Sequence, residues 1–325
     1  MEGNPQQGAR HVPRGVYGAG RARLAVNQRE QLQALLAHCE HPYALLDELY
    51  LPEDQARVLR TRNLRLIPGE KRRRGGKYAY AEWAHVIGIF QTLIGQHIGW
   101  REDLRVLDAG CGAGLLAIAC EPFLGRGGCY TGLDVAAEQL AFCRQHYRGE
   151  HYRFLHLDTA NPFYAPDQTA AGAPWPVADA GQQLVTALSV WTHFNERDAR
   201  FYMAELERVL EPGGKALVTV FLLDEAYHAT LPRTAGKAAR FHGTPLERWV
   251  FDQPAYGSSE WLCPGWAQVP EAAIGMTPAG LASLLEASQL QLAAHYRGNW
   301  KEVPGPFFQD VLVLEKPREC RAPAG

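Results

Sequence analysis

Val106-Leu-Asp-Ala-Gly-Cys-Gly-Ala-Gly114 decides how this chain is read. The Val-Leu-Asp run is a short apolar strand. Glycines at 110, 112 and 114 let the backbone turn tightly after it and approach a ligand closely. A helix predicted over 115–119 then presents the unpaired N–H groups of its first turn to any negative group placed there. A nicotinamide dinucleotide fingerprint would need G-x-G-x-x-G. Counted from Gly110 its last glycine falls on Leu115, and counted from Gly112 it falls on Ala117, so that spacing fails. The spacing present is D-x-G-x-G-x-G.

Outward from this loop the sequence alternates strand and helix patterns, the signature of a parallel sheet covered on both faces. Strands are predicted over 105–108, 129–134, 152–158, 184–190 and 215–221, with 290–296 and 310–315 as a closing pair. The unbroken apolar character of 184–190 suits a central, buried strand. Helices are predicted over 137–147 and 277–288, the latter opened by Thr277-Pro278 with good N-cap and N1 chemistry. The best-marked helix begins after Asn195, an N-cap with Asp198 three residues on. Ala199, Tyr202, Leu206 and Val209 share one of its faces, and Pro212-Gly213-Gly214 stops it. The fold class is therefore α/β, doubly wound and mostly parallel.

Residues 1–25, rich in Gly, Arg, Gln and Pro, read as a disordered tail. Residues 26–103 read as an N-terminal helical extension, with short helices over 28–39 and 43–50 broken by His41-Pro42. A longer helix over 81–98 repeats Trp83, Val86, Ile87, Phe90 and Ile94 at helical spacing. Residues 104–316 form the main domain, 222–276 a lid insertion within it, and 317–325 a tail. The insertion holds Trp249, Trp261 and Trp266 with Arg233, Arg240, Phe241 and Tyr256, which either line an acceptor pocket or hold the insertion down as a local core.

With 46% hydrophobic and 21% charged residues the chain is globular. No apolar run approaches the roughly 18 residues that span a bilayer, and the opening MEGNPQQGARHVPRG lacks the apolar stretch of a secretory leader. A cytoplasmic location with no membrane partner is expected. Seven scattered cysteines without a C-x-x-C pair argue against a disulfide framework and a thiolate zinc site. In the absence of HExxH, no metal is expected. Net charge is −2, yet residues 1–103 carry 15 Lys/Arg against 11 Asp/Glu. Much of that excess lies between Arg57 and Lys77, including Lys71-Arg72-Arg73-Arg74-Gly75-Gly76-Lys77. Such a run holds phosphate, a carboxylate or RNA, or is a solvated loop. No aromatic stacking platform accompanies it, so no nucleic-acid partner is expected.

Two further acids fall where a nucleoside ligand needs them. Asp134 ends the second strand, where a carboxylate can accept both ribose hydroxyls, and Asp158 ends the third, where it can accept from an adenine amine. Together with the 184–190 strand and Leu206-Glu-Arg-Val-Leu-Glu-Pro-Gly-Gly-Lys215, these segments resemble the class I S-adenosylmethionine (SAM)-dependent methyltransferase superfamily over roughly residues 100–316. The resemblance implies a seven-stranded sheet with an antiparallel last strand and SAM as cofactor across the tips of its first strands. It implies the loop from Gly110 through Cys111 and Gly112 to Gly114 under the methionine part, Asp134 on the ribose and Asp158 on the adenine. Asp108, Val135, Thr159 and Ser189 are expected among the cofactor contacts. A narrower similarity, to bacterial small-molecule and glycan-associated methyltransferases, is carried by Ser189-Val-Trp-Thr-His-Phe194, Phe221-Leu-Leu-Asp224 and Phe307-Phe-Gln-Asp-Val-Leu-Val313. Trp191 departs from it, since Phe is usual there.

An activated methyl donor needs chiefly positioning, whereas a hydroxyl acceptor also needs a general base. His193, just beyond the fourth strand, is the first candidate base and Asp224, after the fifth, the second; local packing and capping are their alternatives. Cys111 is read as a small loop filler. The expected function is methyl transfer to a hydroxyl of a small molecule, a sugar or natural-product intermediate. N-, C- or carboxyl-methylation of a natural product, peptide or RNA stays open, as do a non-catalytic SAM-binding role and assembly into a homo-oligomer. No Asn/Asp-Pro-Pro-Tyr/Phe follows the fourth strand, which speaks against amino-group acceptors. Asn161-Pro162-Phe163-Tyr164 follows the third strand instead.

Overall fold

The structure, a computed structural model, describes residues 26–39, 42–73, 78–164 and 172–318. The expected tail at 1–25, the second half of the basic run (Arg74–Lys77) and all but the start of the C-terminal tail lie outside the described residues. The described residues divide into two units, one ending at Leu46 and the other beginning at Asp47. The first contains α1 (Val26–Ala37), and the division falls inside α2 (Pro42–Ala56). No helix among the described residues is long and apolar enough to cross a membrane.

The second unit is built on a sheet whose strands follow the predicted order. They are β1 (Arg105–Ala109), β2 (Cys129–Asp134), β3 (Tyr152–His156), β4 (Gln182–Ala187) and β5 (Leu210–Leu222). These pair in parallel in the order β3-β2-β1-β4-β5. The closing pair is β9 (Gln291–Tyr296) and β10 (Asp310–Glu315); β10 runs antiparallel between β5 and β9. That completes the expected seven strands with an antiparallel last one.

Strand periodicity divides the unit into two cores. Successive side chains point to opposite faces, so Val106, Leu184 and Leu217 enter one layer, while their neighbours Leu107, Val185 and Val218 enter the other. The first layer is covered by α3 (Tyr80–Ile98), α4 (Leu115–Cys120) and α5 (Ala137–His146), and the second by α6 (Glu196–Val209) and α8 (Pro278–Glu286). The five residues that mark α3 in the sequence are all buried in the first layer, so this helix of the expected extension shares its core with the sheet. The cap chemistry also appears as read. Asn195 Oδ1 accepts from Asp198 N at 3.0 Å, and Thr277 Oγ1 accepts from Gly280 N at 3.1 Å.

The 222–276 stretch is more regular than expected. Between the short α7 (Glu225–His228) and α8 it forms β6 (Phe251–Pro254), β7 (Trp261–Pro264) and β8 (Gly275–Met276). β8 pairs in parallel with the end of β5, at Phe221 and Leu222, and β7 and β6 add antiparallel strands beyond it. The sheet therefore has ten strands rather than seven. Phe221, Leu223, Tyr227, Trp249, Phe251, Ala273 and Trp300 form a third, local core beneath the insertion.

Candidate active site

At the carboxyl edge of β1, β2 and β4 the structure opens a cavity of about 210 Å³. Most of the predicted contacts converge there: Asp108, Gly110, Cys111 and Gly112 from the first loop, Asp134 and Val135 from the second strand, Thr159, Ser189 and His193. Gly114, Asp158 and Asp224 stand apart from them.

The first loop shows why three glycines are needed and that they do different things. All three have positive φ, +72° at Gly110, +52° at Gly112 and +88° at Gly114. A Cβ on Gly110 would meet Val190 Cγ2 at 2.6 Å, and one on Gly114 would meet the Tyr147 hydroxyl at 2.5 Å. One on Gly112 meets no atom within 4 Å. Gly112 is thus the glycine whose bare backbone faces open cavity, while Gly114 caps α4 and makes room for a buried tyrosine. Gly114, expected among the cofactor contacts, lies outside the residues that line the cavity.

Asp134 is held by the loop it faces. Its Oδ2 accepts from Gly112 N and its Oδ1 from Ala136 N, both at 2.7 Å. Those bonds fix a carboxylate at the cavity wall, with lone pairs suited to a vicinal diol. Asp158 does not share this place. It is exposed, and its neighbours Leu157 and Thr159 line the cavity instead. Chain alternation just past β3 sends 157 and 159 inward and 158 outward, so Asp158, expected on the adenine, lies outside the cavity lining.

Asp108 is buried and satisfied from within, accepting from Tyr130 Oη and, at 2.7 Å, from Thr186 Oγ1. Burial pushes its carboxyl up to about 7 against the pull of those two bonds. Burial, followed by the Asp134 and Asp108 carboxylates, drives the Cys111 thiol well above its ordinary value, which agrees with a filler and not a nucleophile.

Ser189 is a non-glycine residue at φ +59°, a left-handed conformation that favours glycine. Its N donates to Thr219 Oγ1 at 2.7 Å and its hydroxyl to Gln309 Oε1 at 2.9 Å, bonds to β5 and the residue before β10 that hold the turn. Past it, the 3-10 turn Trp191–His193 carries His193 to the cavity. The Nδ1 of His193 lies 2.7 Å from the main-chain carbonyl of Glu271. A carbonyl only accepts, so Nδ1 bears a proton, and the neutral form of the ring then has its lone pair at Nε2. Nε2 lies 3.2 Å from the Tyr164 hydroxyl.

Asp224 is elsewhere. Its Oδ1 caps α7 by accepting from Tyr227 N at 3.1 Å, and its Oδ2 pairs with Lys301 Nζ at 2.8 Å. Lys301 is fully buried and also 2.7 Å from Asp310 Oδ1. Among the described residues Asp224, His295 and Asp310 form one group with metal-ligand chemistry, but the Lys301 ammonium stands between its two carboxylates. This position removes Asp224 from the set that faces the cavity.

Several lining residues were not read as site residues in the sequence. Arg72 reaches the cavity from the basic run, its guanidinium 5.1 Å from the Phe142 ring centroid, with no carboxylate paired to it among the described residues. Its neighbour Arg73 is buried and tied to Asp47 at 2.8 Å, so adjacent arginines in one run serve different ends. Trp83, Gln139, Asp198 and Tyr164 also line the space. Tyr164 belongs to the Asn-Pro-Phe-Tyr segment after β3. Asn161 Oδ1 accepts from Phe163 N and Tyr164 N at 3.0 Å, and Asn161 Nδ2 donates to the His193 carbonyl at 3.2 Å. The insertion contributes no lining residue among those described. Trp249 and Trp261 are buried, Arg233 donates to the Trp249 carbonyl at 2.9 Å, Arg240 pairs with Glu302, and Trp266 donates to the Arg248 carbonyl at 2.6 Å. Trp249 belongs to the local core beneath the insertion and Trp261 to the second core of the sheet, whereas Trp266, Phe241 and Tyr256 are exposed.

A parallel sheet of this order with an antiparallel strand beside β5, a glycine loop after β1 and an acid closing β2 is the arrangement expected from the resemblance to class I SAM-dependent methyltransferases. Comparison with known proteins agrees, and the cofactor of this class is SAM: residues 106–214 match the methyltransferase domain family. The chain is 29% identical over 151 residues to a ubiquinone biosynthesis O-methyltransferase of Sinorhizobium medicae (46% of this chain, 50% of the relative). It is 31% identical over 120 residues to one of the same name from a Bradyrhizobium strain (36% and 39%). The chain thus spans half or less of the length of these curated relatives. Among solved structures it is similar to the PH0226 protein of Pyrococcus horikoshii, with a TM-score of 0.48, 17% identity, and coverage of 73% of this chain and 92% of the other. The residues fit the cofactor: Gly112 leaves the space a Cβ would take, and Asp134 is pre-set beside it.

Proposed function

We propose that this protein transfers a methyl group from SAM to a hydroxyl of a small molecule, with His193 as the general base. The observation that carries this reading is the Nδ1–H bond to the Glu271 carbonyl, which leaves Nε2 as the acceptor at the cavity. SAM supplies an electrophilic methyl group when bound. Asp134, held at both oxygens by backbone N–H groups, would take the ribose hydroxyls. Arg72 would meet an anionic group, the methionine carboxylate or a charge on the acceptor. The acceptor hydroxyl would take the position that Tyr164 Oη occupies at Nε2, giving its proton to His193 as its oxygen attacks. Asp224 is left out of this scheme. The two curated relatives are named as O-methyltransferases, which supports an oxygen acceptor. We favour a sugar or natural-product hydroxyl, for which the similarity of 189–194 and 307–313 speaks.

The test is His193→Ala and His193→Gln, assayed on an acceptor found by screening sugars and phenolic or polyketide alcohols for methyl uptake. Both variants should bind SAM as the parent does and lose about 10²–10⁴-fold in turnover, the usual worth of a placed acid–base group. The rising limb of the parent's pH–rate profile should vanish with them. A near-parental rate and an unchanged profile in both variants would remove His193 from the mechanism.

A further inference from the structure

The insertion lines no part of the cavity, yet it sends one residue to its edge. Glu271 lies in the 3-10 turn Pro270–Ala272 and is completely buried. Besides the carbonyl bond to His193, its carboxylate accepts from Asn195 Nδ2 at 3.1 Å and from Tyr256 Oη at 2.9 Å. Both donors are neutral, and among the described residues no lysine or arginine pairs with it. Folding gains little from such a group, since a buried carboxylate is stabilised only by a matching charge or a full set of donors. The neighbouring turn is clamped as well, Ile274 N donating to the Thr192 carbonyl at 2.7 Å. The insertion therefore grips the His193 turn by its backbone and places an unneutralised acid behind it.

We infer that Glu271 is a positioning residue for His193, its carbonyl fixing the ring's tautomer and its carboxylate acting as counter-charge to the imidazolium that forms during turnover. The inference rests on the reading of His193 as the base. In the step concerned, the acceptor O–H bond breaks, the N–H bond at Nε2 forms, and the proton leaves to solvent after product departs. Glu271 exchanges nothing and contributes only field and orientation. The covalent reach of one residue keeps its carboxylate within a few ångström of the carbonyl that holds Nδ1, close enough for an opposite charge to favour imidazolium.

The other groups around His193 do not duplicate this role. Tyr164 faces Nε2 from the turn after β3 with its phenol hydroxyl. Asp198, from the first turn of α6, lines the cavity; burial, aided by Glu271 and opposed by Arg197, pushes its carboxyl above the ordinary range. The end of β5 that packs on this turn, Val218 to Leu222, has no ionisable side chain, and Tyr256 is the donor already named. Asn195 joins the two systems, because the same amide that reaches Glu271 also donates to Asp198 Oδ2 at 3.2 Å.

The experiment follows the His193 imidazole by NMR titration of the full chain without ligand, its signal assigned by disappearance in His193→Gln. Glu271→Gln keeps the main-chain carbonyl and an acceptor for Asn195 but removes the charge. The His193 pKa should fall by about one unit, the rising limb of the pH–rate profile should move to lower pH by the same amount, and plateau turnover should drop about tenfold. Glu271→Asp should restore most of each. Tyr256→Phe, at an exposed ring, strips one donor from the carboxylate and should move the His193 pKa in the opposite direction. An unmoved His193 pKa in Glu271→Gln overturns the proposal, as does a turnover loss with the pH limb in place. Should Glu271→Gln not fold, an unmoved pKa in Tyr256→Phe overturns it. The base reading fails separately, by retained activity in His193→Ala, whatever the titration gives.

Discussion

Gly112→Ala and Gly114→Ala are two substitutions of the same chemistry, two residues apart in one loop, and the structure assigns them opposite consequences. Both residues have positive φ, so an alanine at either costs about 1–2 kcal/mol of backbone strain. Both also gain about 0.4–1 kcal/mol because the unfolded chain is less free. These contributions cancel when the variants are compared. What remains is the surroundings of the new methyl. At 114 it would sit 2.5–2.7 Å from the Tyr147 hydroxyl and ring. That ring is buried and its hydroxyl donates to the carbonyls of Ala113 (3.2 Å) and Gly114 (2.9 Å), so it cannot swing aside without losing them. Overpacking of this kind costs about 1–3 kcal/mol. At 112 the methyl meets nothing and enters the cavity. Gly114→Ala should therefore be less stable than Gly112→Ala by about 1–3 kcal/mol in denaturant unfolding without ligand. Calorimetric titration with SAM should give the reverse order: Gly112→Ala at least tenfold weaker, about 1.4 kcal/mol, and folded Gly114→Ala much closer to the parent. Equal unfolding midpoints, or parental SAM affinity in Gly112→Ala, would refute the division of labour drawn from the loop.

Asp134→Ala should weaken SAM binding by about 1.5–3 kcal/mol, the loss expected for hydrogen bonds to a charged group, whereas Asp158→Ala, at an exposed residue outside the cavity, should change it by less than about 0.5 kcal/mol; calorimetry on the pair decides which acid faces the cofactor. Lys301→Met would take the ammonium away from buried Asp310 and should cost about 3–5 kcal/mol of stability, with Lys301→Met/Asp310→Leu recovering part of it. Burial alone would raise the Asp310 carboxyl, but His295, Lys301 and Trp300 outweigh it and hold the group below the usual carboxylate range. A depressed folded value means the unfolded chain binds the proton more readily, so the stability Asp310 contributes is present above its unfolded pKa near 4 and is lost as pH falls through the folded one. Unfolding midpoints should accordingly decline below about pH 4 in the parent, and less steeply in Asp310→Asn; parallel curves would contradict this.

The fold was legible because its determinants are local and periodic. Apolar runs at 105–109, 129–134 and 182–187 sit within three residues of their predicted bounds, and the caps at Asn195 and Thr277 are hydrogen bonds between near neighbours in sequence. The 222–276 stretch escaped because strands of two to four residues carry too little period to stand out, and because β8 is stabilised by pairing with Phe221 and Leu222, not by its own sequence. The site divides along the same line. Gly112, Asp134 and His193 follow directly from strands whose ends could be read, and the sheet's parallel order delivers them to one edge. Which of two adjacent residues faces that edge is a matter of a single step of chain rotation, and only packing settled it, turning Asp158 out and Thr159 in, and Arg72 to the cavity beside a buried Arg73. Glu271 is the furthest case. It lies 78 residues from His193, and nothing in the local pattern of either segment encodes their 2.7 Å hydrogen bond, which exists because the insertion folds back over the end of β5.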